Sequence, residues 1–189
     1  MDSVLIVSSC EKTSALFEEM ISAERYRCID KAVSADLARR LCTQREYGLI
    51  IINTPLADEF GYSLTTGLLR ETSSGVILVT DQDSEQTAVS ETAGHGAMVF
   101  TRPVDRKMFV RIVRFIAASQ DRMRSIRREN LMLHKKLDDI KIINRAKAIL
   151  MQYLSMTEQQ AHRYLEKQAM DLRITRVEVA KNLLSTYDS

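Results

Sequence analysis

The chain has 189 residues, of which 45% are hydrophobic and 28% charged, so it can fill the core of one large or two small domains. Its formal net charge of +2 is unevenly distributed, because residues 121–189 hold fourteen Lys and Arg against nine Asp and Glu, whereas the remainder holds thirteen against sixteen. We therefore expect two modules, of which the basic one would bind a polyanion.

Neither a metal site nor a disulfide framework is expected from the cysteines. Cys10, Cys28 and Cys42 are odd in number and share no metal-ligand spacing, which fits reduced thiols in a cytosol. The N-terminal MDSVLIVSS has no basic segment, and no later apolar run reaches membrane-spanning length. The sequence predicts a soluble, cytoplasmic protein that needs no membrane and no cofactor.

The N-terminal half alternates short apolar, β-branched runs with helical patterns. The predicted strands are 4–7, 28–33, 49–52, 76–79 and 97–100, and the predicted helices are 14–22, 35–43, 62–70, 85–93 and a last one from 106 onward. Ser14 and Ser34 stand where helix N-caps belong. Five strands, each followed by a helix, predict an α/β fold with a parallel, flavodoxin-like sheet covered on both faces.

In such sheets, catalytic and ligand-binding residues usually lie beyond the carboxyl ends of the central strands. At those ends the segments VLIVSS, LIIINTPL, VILVT and MVFTRPVD occur in this order. Across roughly residues 1–118 the chain thereby resembles the receiver domain of bacterial response regulators. In that family an acidic pair after the first strand holds Mg²⁺, and an Asp after the third strand accepts a phosphoryl group.

The resemblance places neutral side chains at these acidic positions. The positions that match the family's phosphoacceptor site are Ser8, Ser9, Asn53, Thr80 and Arg102, with Pro103 where the family usually has a cis bond. An amide is a poor nucleophile and a weak ligand for a hard cation. The fold is therefore expected without its phosphate switch, which leaves dimer support or docking of a regulatory protein as uses for this domain. An alternative is a shifted metal site at Asp58 and Glu59.

The stretch from 109 to 140 follows a heptad pattern without any Pro or Gly. Its a and d positions are Phe109, Ile112, Ile116, Ser119, Met123, Ile126, Asn130, Leu133, Leu137 and Ile140. Such a narrow stripe buries best against its own copy, so we expect a parallel homodimer held by Ile116 and the seam positions from Met123 to Ile140. A buried Asn130 would penalise shifted registers. The alternative is an amphipathic helix that lies on its own domain.

Three short helices are predicted in the last fifty residues. Thr157 begins TEQQ and Thr175 begins TRVE, and both are capping boxes that start a helix. The first helix of this bundle is expected to bury an apolar face that includes Tyr153 and ends near Ser155, and Met151 and Tyr164 are expected in the core. The sequence thus predicts a receiver-like domain at 1–118, a coiled-coil linker at 119–140 and a helical domain at 141–189.

The segment KIINRAKAILMQYLSMTEQQAHRYLEKQAMDLRITRVEVAKNLL resembles the ANTAR domain of transcription antiterminators. Regulators of amidase and ethanolamine operons in this family share the same domain order. The resemblance implies a dimer that binds a pair of neighbouring small hairpins in a leader transcript, so that a terminator hairpin does not form. We expect no enzymatic activity, because the sequence shows no paired acid and base, nucleophile and base, or metal constellation.

The candidate RNA contacts are basic and amide side chains of this last domain. They are Lys141, Arg145, Lys147, Gln152, Gln168, Arg173 and Arg176. Basic side chains can contact phosphates, while amides can bind the edges of unpaired loop bases. A helix-turn-helix that binds DNA remains an alternative, although the last helix offers few side chains for base edges. A scaffold without nucleic acid is a further alternative, and a phosphorelay or enzymatic output is disfavoured because no catalytic constellation is present.

Overall fold

The computed structural model describes residues 3–22, 24, 26 and 28–187. The chain forms two compact units, residues 1–124 and 125–189. This division falls inside the predicted linker of residues 119–140, and the division into three segments stays a prediction.

The N-terminal unit alternates strands and helices as predicted. Its elements are β1 (Ser3–Ser8), α1 (Glu11–Ile21), β2 (Cys28–Ala32), α2 (Ala35–Gln44), β3 (Leu49–Asn53), α3 (Tyr62–Glu71), β4 (Gly75–Thr80), α4 (Glu85–Thr92), β5 (Met98–Thr101) and the start of α5 (Arg106–Leu154), with short 3-10 turns at Gln82–Ser84 and Ala93–His95. The strands pair in parallel in the order β2-β1-β3-β4-β5. The predicted five-stranded parallel sheet with flanking helices is confirmed.

The central strands are buried on both faces, which explains why their sequences are apolar at every position between the polar residues or glycine at their ends. Side chains alternate between the faces, so Ile50 and Ile52 pack in one core cluster with α2 and α3, whereas Leu49 and Ile51 pack in another with α1 and α5. The second cluster contains Phe17, whose ring centroid lies 5.4 Å from that of Phe109. The register sets Ser8 opposite Asn53 and thereby brings the ends of β1 and β3 together.

The two predicted N-caps of this unit had different outcomes. The Ser34 hydroxyl accepts a hydrogen bond from the Leu37 N–H at the start of α2, as predicted. The prediction for Ser14 is wrong, because α1 already begins at Glu11 and Ser14 is buried within the helix. The earlier start is favoured by the Ser8 hydroxyl, which accepts from the Cys10 N–H and so turns the chain immediately after β1.

The C-terminal unit packs the end of α5 against α6 (Glu158–Leu172) and α7 (Arg176–Tyr187). Its core contains Ala146, Leu150, Ala161, Leu165, Ala169, Val179 and Ala180. Both capping boxes are confirmed: Thr157 and Gln160 exchange hydrogen bonds, as do Thr175 and Glu178.

Two predicted core residues of this unit are exposed. Met151 and Tyr153 lie in the last turn of α5, where 43% and 60% of their surfaces remain accessible. Only α6 and α7 cover this helix within the described part of the unit, so the face that is fully buried is narrow and holds Ala146 and Leu150. Tyr164 is partly buried against the core, as predicted.

Candidate functional site

The predicted phosphoacceptor position is part of a buried polar cluster at the ends of β1 and β3. The Asn53 Nδ2 donates to the Ser8 Oγ at 3.1 Å, and the Ser8 Oγ in turn donates to the Cys10 carbonyl at 3.1 Å. Both side chains are buried. Their hydrogen-bonding groups are therefore engaged within the domain, as most buried polar groups are.

The guanidinium of Arg102 binds the other side of this cluster. Its Nη1 donates to the Asn53 Oδ1 at 2.8 Å and to the Thr54 carbonyl at 2.9 Å, while its Nε donates to the Asp81 Oδ1 at 2.9 Å. Because the guanidinium is planar and has five N–H donors, it can bridge an amide, a carbonyl and a carboxylate at once. Asp81 was not among the predicted residues, since nothing local in the sequence signals this long-range pairing.

Ser9 and Thr80 complete the predicted set without joining this network. Ser9 is exposed and donates to the Pro55 carbonyl at 3.1 Å. Thr80 is fully buried, and its hydroxyl makes no hydrogen bond to any residue that the structure describes. The predicted cis bond at Arg102–Pro103 is confirmed, and Thr54–Pro55 is cis as well. Among described residues no three His, Cys, Asp or Glu side chains converge as a metal site.

Asp58 and Glu59 hold helix N-termini. The Asp58 carboxylate accepts from the Ala35 and Asp36 N–H groups of α2 at 2.8 and 3.0 Å, and these two bonds lower the pKa of Asp58 below its ordinary value. Glu59 accepts from the Leu64 N–H of α3 and pairs with Arg39 at 2.7 Å. Both carboxylates stabilise helix starts, where negative charge is favourable. This arrangement does not favour the alternative of a shifted metal site.

The heptad stripe on α5 divides into a buried and an exposed part. Phe109 is fully buried, and Ile112 and Ile116 pack against the same core cluster. A Cβ at Gly75 would lie 2.1 Å from the Ile116 Cγ2, so this glycine permits a close approach. Phe109 therefore fits the heptad but is covered by its own domain, and Ile116, which was expected in the dimer contact, packs against that domain as well.

The later heptad positions are exposed in the single chain. Between 44% and 68% of the surface of each apolar position is accessible, and Asn130 is exposed as well. These apolar positions are Met123, Ile126, Leu133, Leu137 and Ile140. Such a stripe exposes apolar surface that association can bury.

Two of the predicted RNA contacts pair with carboxylates on α6. Lys147 has only 15% of its side chain exposed, and its Nζ lies 2.8 Å from the Glu158 Oε1. This lysine lowers the pKa of Glu158. The Arg176 Nη1 lies 3.1 Å from the Glu166 Oε1, which also contacts the His162 Nε2 at 3.2 Å. Lys147, Glu158, His162, Glu166 and Arg176 thus form a charge ladder along α6.

The other predicted contacts do not gather around this ladder. Lys141 is exposed and lies 3.4 Å from Asp138, and Arg145 and Gln152 are exposed on α5. Arg173 adopts a left-handed conformation with a φ of 55° where it ends α6. Gln168 lines a separate groove with Asn182, which the sequence did not single out. The predicted set therefore occupies more than one surface of the unit.

Comparisons with known proteins support the ANTAR resemblance of the C-terminal part and the receiver-like fold of the N-terminal part. The ANTAR domain family model matches residues 132–184. The transcriptional regulatory protein PdtaR of Mycobacterium tuberculosis is 22% identical over 169 residues, which cover 89% of this chain and 82% of that protein. The aliphatic amidase regulator of Pseudomonas aeruginosa is 27% identical over 134 residues, covering 70% and 66% respectively.

The N-terminal unit is similar in structure to isolated receiver domains. One, from an HD domain-containing protein of Pseudomonas fluorescens, has a TM-score of 0.58 and 21% identity and covers 65% of this chain and 91% of its own. The receiver domain of NtrX from Brucella abortus has a TM-score of 0.55 and 18% identity over 61% of this chain and 98% of its own. No helix within the described ranges is long and apolar enough to cross a membrane. Residues 132–184 of the chain therefore match the ANTAR domain family, and its N-terminal unit has the fold of a receiver domain.

Proposed function

We propose that this regulator is a transcription antiterminator that acts in the cytoplasm. As a homodimer it binds two neighbouring hairpins of a leader transcript and thereby prevents a terminator hairpin from forming. It does so without phosphorylation of an aspartate. The observation that carries the proposal is the ANTAR match over residues 132–184, joined to a receiver fold whose acceptor position is Asn53.

The charge of the ANTAR half supports a nucleic-acid ligand. Residues 121–189 have five more basic than acidic residues. Phosphate contacts made by such residues release counterions, so binding should weaken steeply with salt. Unpaired loop bases expose faces for stacking and edges for hydrogen bonds, which suits a domain that offers amides as well as cations.

The cluster around Asn53 supports independence from phosphorylation. A carboxylate can attack phosphorus, whereas an amide oxygen that accepts from Arg102 at 2.8 Å is a poor nucleophile. Ser8 and Ser9 offer hydroxyls where a hard cation would need carboxylates, and both are hydrogen-bonded within the domain. We infer that the receiver-like domain instead supports the dimer or docks a regulatory protein.

The exposed stripe from Met123 to Ile140 supports the homodimer. Burying its apolar side chains against a second copy stabilises association, by about 25 cal/mol for each Å² removed from water. Two ANTAR domains linked in this way can hold two hairpins at once. The second contact then forms at a high effective concentration, so a paired-hairpin RNA is favoured over a single hairpin.

Binding of the full-length protein to RNA tests the proposal directly. The ligands are an RNA with two adjacent hairpins, the same RNA with one hairpin deleted, and a DNA duplex of equal length, each titrated across a salt series without a phosphodonor. We expect tight, salt-dependent binding to the two-hairpin RNA, weaker binding to one hairpin and little preference for the duplex. Equal affinity for the duplex would favour DNA as the ligand, and absence of binding to any ligand would refute the proposal.

A further inference from the structure

A groove between the end of α5, α6 and α7 lies apart from the charge ladder. Its volume is about 280 Å³. Leu150 and Val179 line it and are buried, whereas Leu154 and Leu172 line it with 48% and 57% of their surfaces exposed. The groove is thus an apolar depression that is open to solvent in the single chain.

Two side-chain amides line this groove without a hydrogen-bond partner among the described residues. The side-chain amides of Gln168 and Asn182 make no hydrogen bond to any other residue in the described part of the chain. Each amide offers two donors and an acceptor oxygen. Tyr164 also lines the groove and supplies an aromatic ring. The lining therefore suits a flat ligand with an apolar face and a hydrogen-bonding edge.

The charges near the groove favour an anionic ligand. Among the residues that the structure describes, no carboxylate lines it. Arg163 and Lys167 directly precede Tyr164 and Gln168 on α6, are exposed, and form no ion pair with any described residue. Lys147 and Arg176 differ in this respect, because α6 carboxylates already pair with them. Asp171 precedes the lining residue Leu172 in the same way, so these two cations and one carboxylate carry a net charge of +1 beside the groove, which is complementary to a phosphate backbone.

We propose that the groove binds one unpaired base of the hairpin loop. Gln168 and Asn182 bind the edge of the base, the apolar lining contacts its face, and Arg163 and Lys167 contact the neighbouring phosphates. This combination of stacking, edge contacts and cations is typical of proteins that bind splayed single-stranded bases. The inference rests on the proposed function, because it names the part of the RNA that the ANTAR domain would bind.

The test uses an RNA that the protein itself selects. Full-length parent protein is presented with a pool of two-hairpin RNAs whose loop positions are randomised, and the best binder is then resynthesised with one abasic site at a time. We expect one loop position at which the abasic change weakens binding about ten-fold or more. The variant Gln168→Ala should bind the intact RNA about ten-fold more weakly and should lose little more at that abasic position.

Gln159→Ala is the matched control, because it removes the same side chain from the same helix outside the groove. It should behave like the parent. Asn182→Ala provides a second groove variant on α7 in case Gln168→Ala loses its helical circular dichroism spectrum. Arg163→Ala and Lys167→Ala should weaken binding to every loop sequence alike and lower the salt slope.

The results separate this inference from the proposed function. If the pool yields no bound RNA, the proposed function and the groove assignment are both refuted. If the parent binds RNA but the groove variants retain the parent's affinity and its loss at the abasic position, only the groove assignment is refuted. If the groove instead holds a protein segment, Leu172→Ser should change the mass of the assembly in solution and leave the RNA affinity unchanged. This result would also overturn the assignment.

Discussion

Neutralising Glu166 should increase the affinity for RNA, because this carboxylate competes with phosphate for Arg176. Its Oε1 lies 3.1 Å from the Arg176 Nη1 and 3.2 Å from the His162 Nε2. The Glu166 side chain is 46% exposed, so each of these pairs is worth at most about 1 kcal/mol. Replacing Glu166 by Gln removes the negative charge that an approaching phosphate must displace, which amounts to about a five-fold gain for each ANTAR domain.

The dimer should multiply this gain. If two domains each hold one hairpin, the free energies add to about 2 kcal/mol, or roughly 30-fold for a two-hairpin RNA against about five-fold for one hairpin. Titration of both RNAs by filter binding at fixed salt measures the two ratios. Glu129→Gln is the matched control, since it makes the same exchange on α5 at an exposed glutamate without an ion pair to a described residue. Equal gains for Glu166→Gln and Glu129→Gln would refute the competition.

Three further predictions concern the seam, the capping box and the phosphoacceptor position. Leu133→Ser should convert the dimer to a monomer in light scattering, whereas Leu131→Ser, which is equally conservative in size but off the seam, should not. The Thr175 N–H and hydroxyl lower the pKa of Glu178. The stability that this carboxylate gives the fold is therefore fully present above its ordinary pKa of 4.5 and is lost as the pH falls through the lowered pKa. On acidification, the melting temperature of the parent should drop more than that of Glu178→Gln. With a small phosphodonor and Mg²⁺, Asn53→Asp should show no phosphoadduct by intact mass while Arg102 remains, and an adduct at this position would contradict our account.

Much of the fold could be predicted because local signals agree with the tertiary structure. Apolar β-branched runs such as those of β3 and β4 are sufficient to predict buried parallel strands. The capping boxes at Thr157 and Thr175 fix the starts of α6 and α7, since the bonds that form them lie within three residues. Ser14 was misassigned because a serine before an apolar run is a weak signal when another residue can turn the chain sooner.

The interactions that the sequence did not predict all join distant residues. Asp81 and Arg102 are hydrogen-bonded although they lie 21 residues apart in the sequence, and Asp58 is bound to the start of α2 from 23 residues away. Phe109 fits the heptad as well as Met123 does, and only the packing of the first turns of α5 shows that one is buried and the other exposed. For the same reason Lys147 was selected for its charge and its place on the first helix of the bundle, and the sequence did not show that Glu158 already pairs with it.

In the phosphorylation-independent regulator that we propose, the Arg102 guanidinium beside Asn53 would make a phosphate switch difficult to acquire. Restoring a carboxylate at position 53 alone would place it against Arg102, which would pair with it as a fixed ion pair. Ser8 and Ser9 would still lack the charge to hold a divalent cation. Several simultaneous changes would be needed before any one of them conferred phosphate sensitivity. A mutational route to phosphate sensitivity would therefore pass through intermediates that do not respond to phosphate, whereas docking of a partner protein would need no acidic site at these positions.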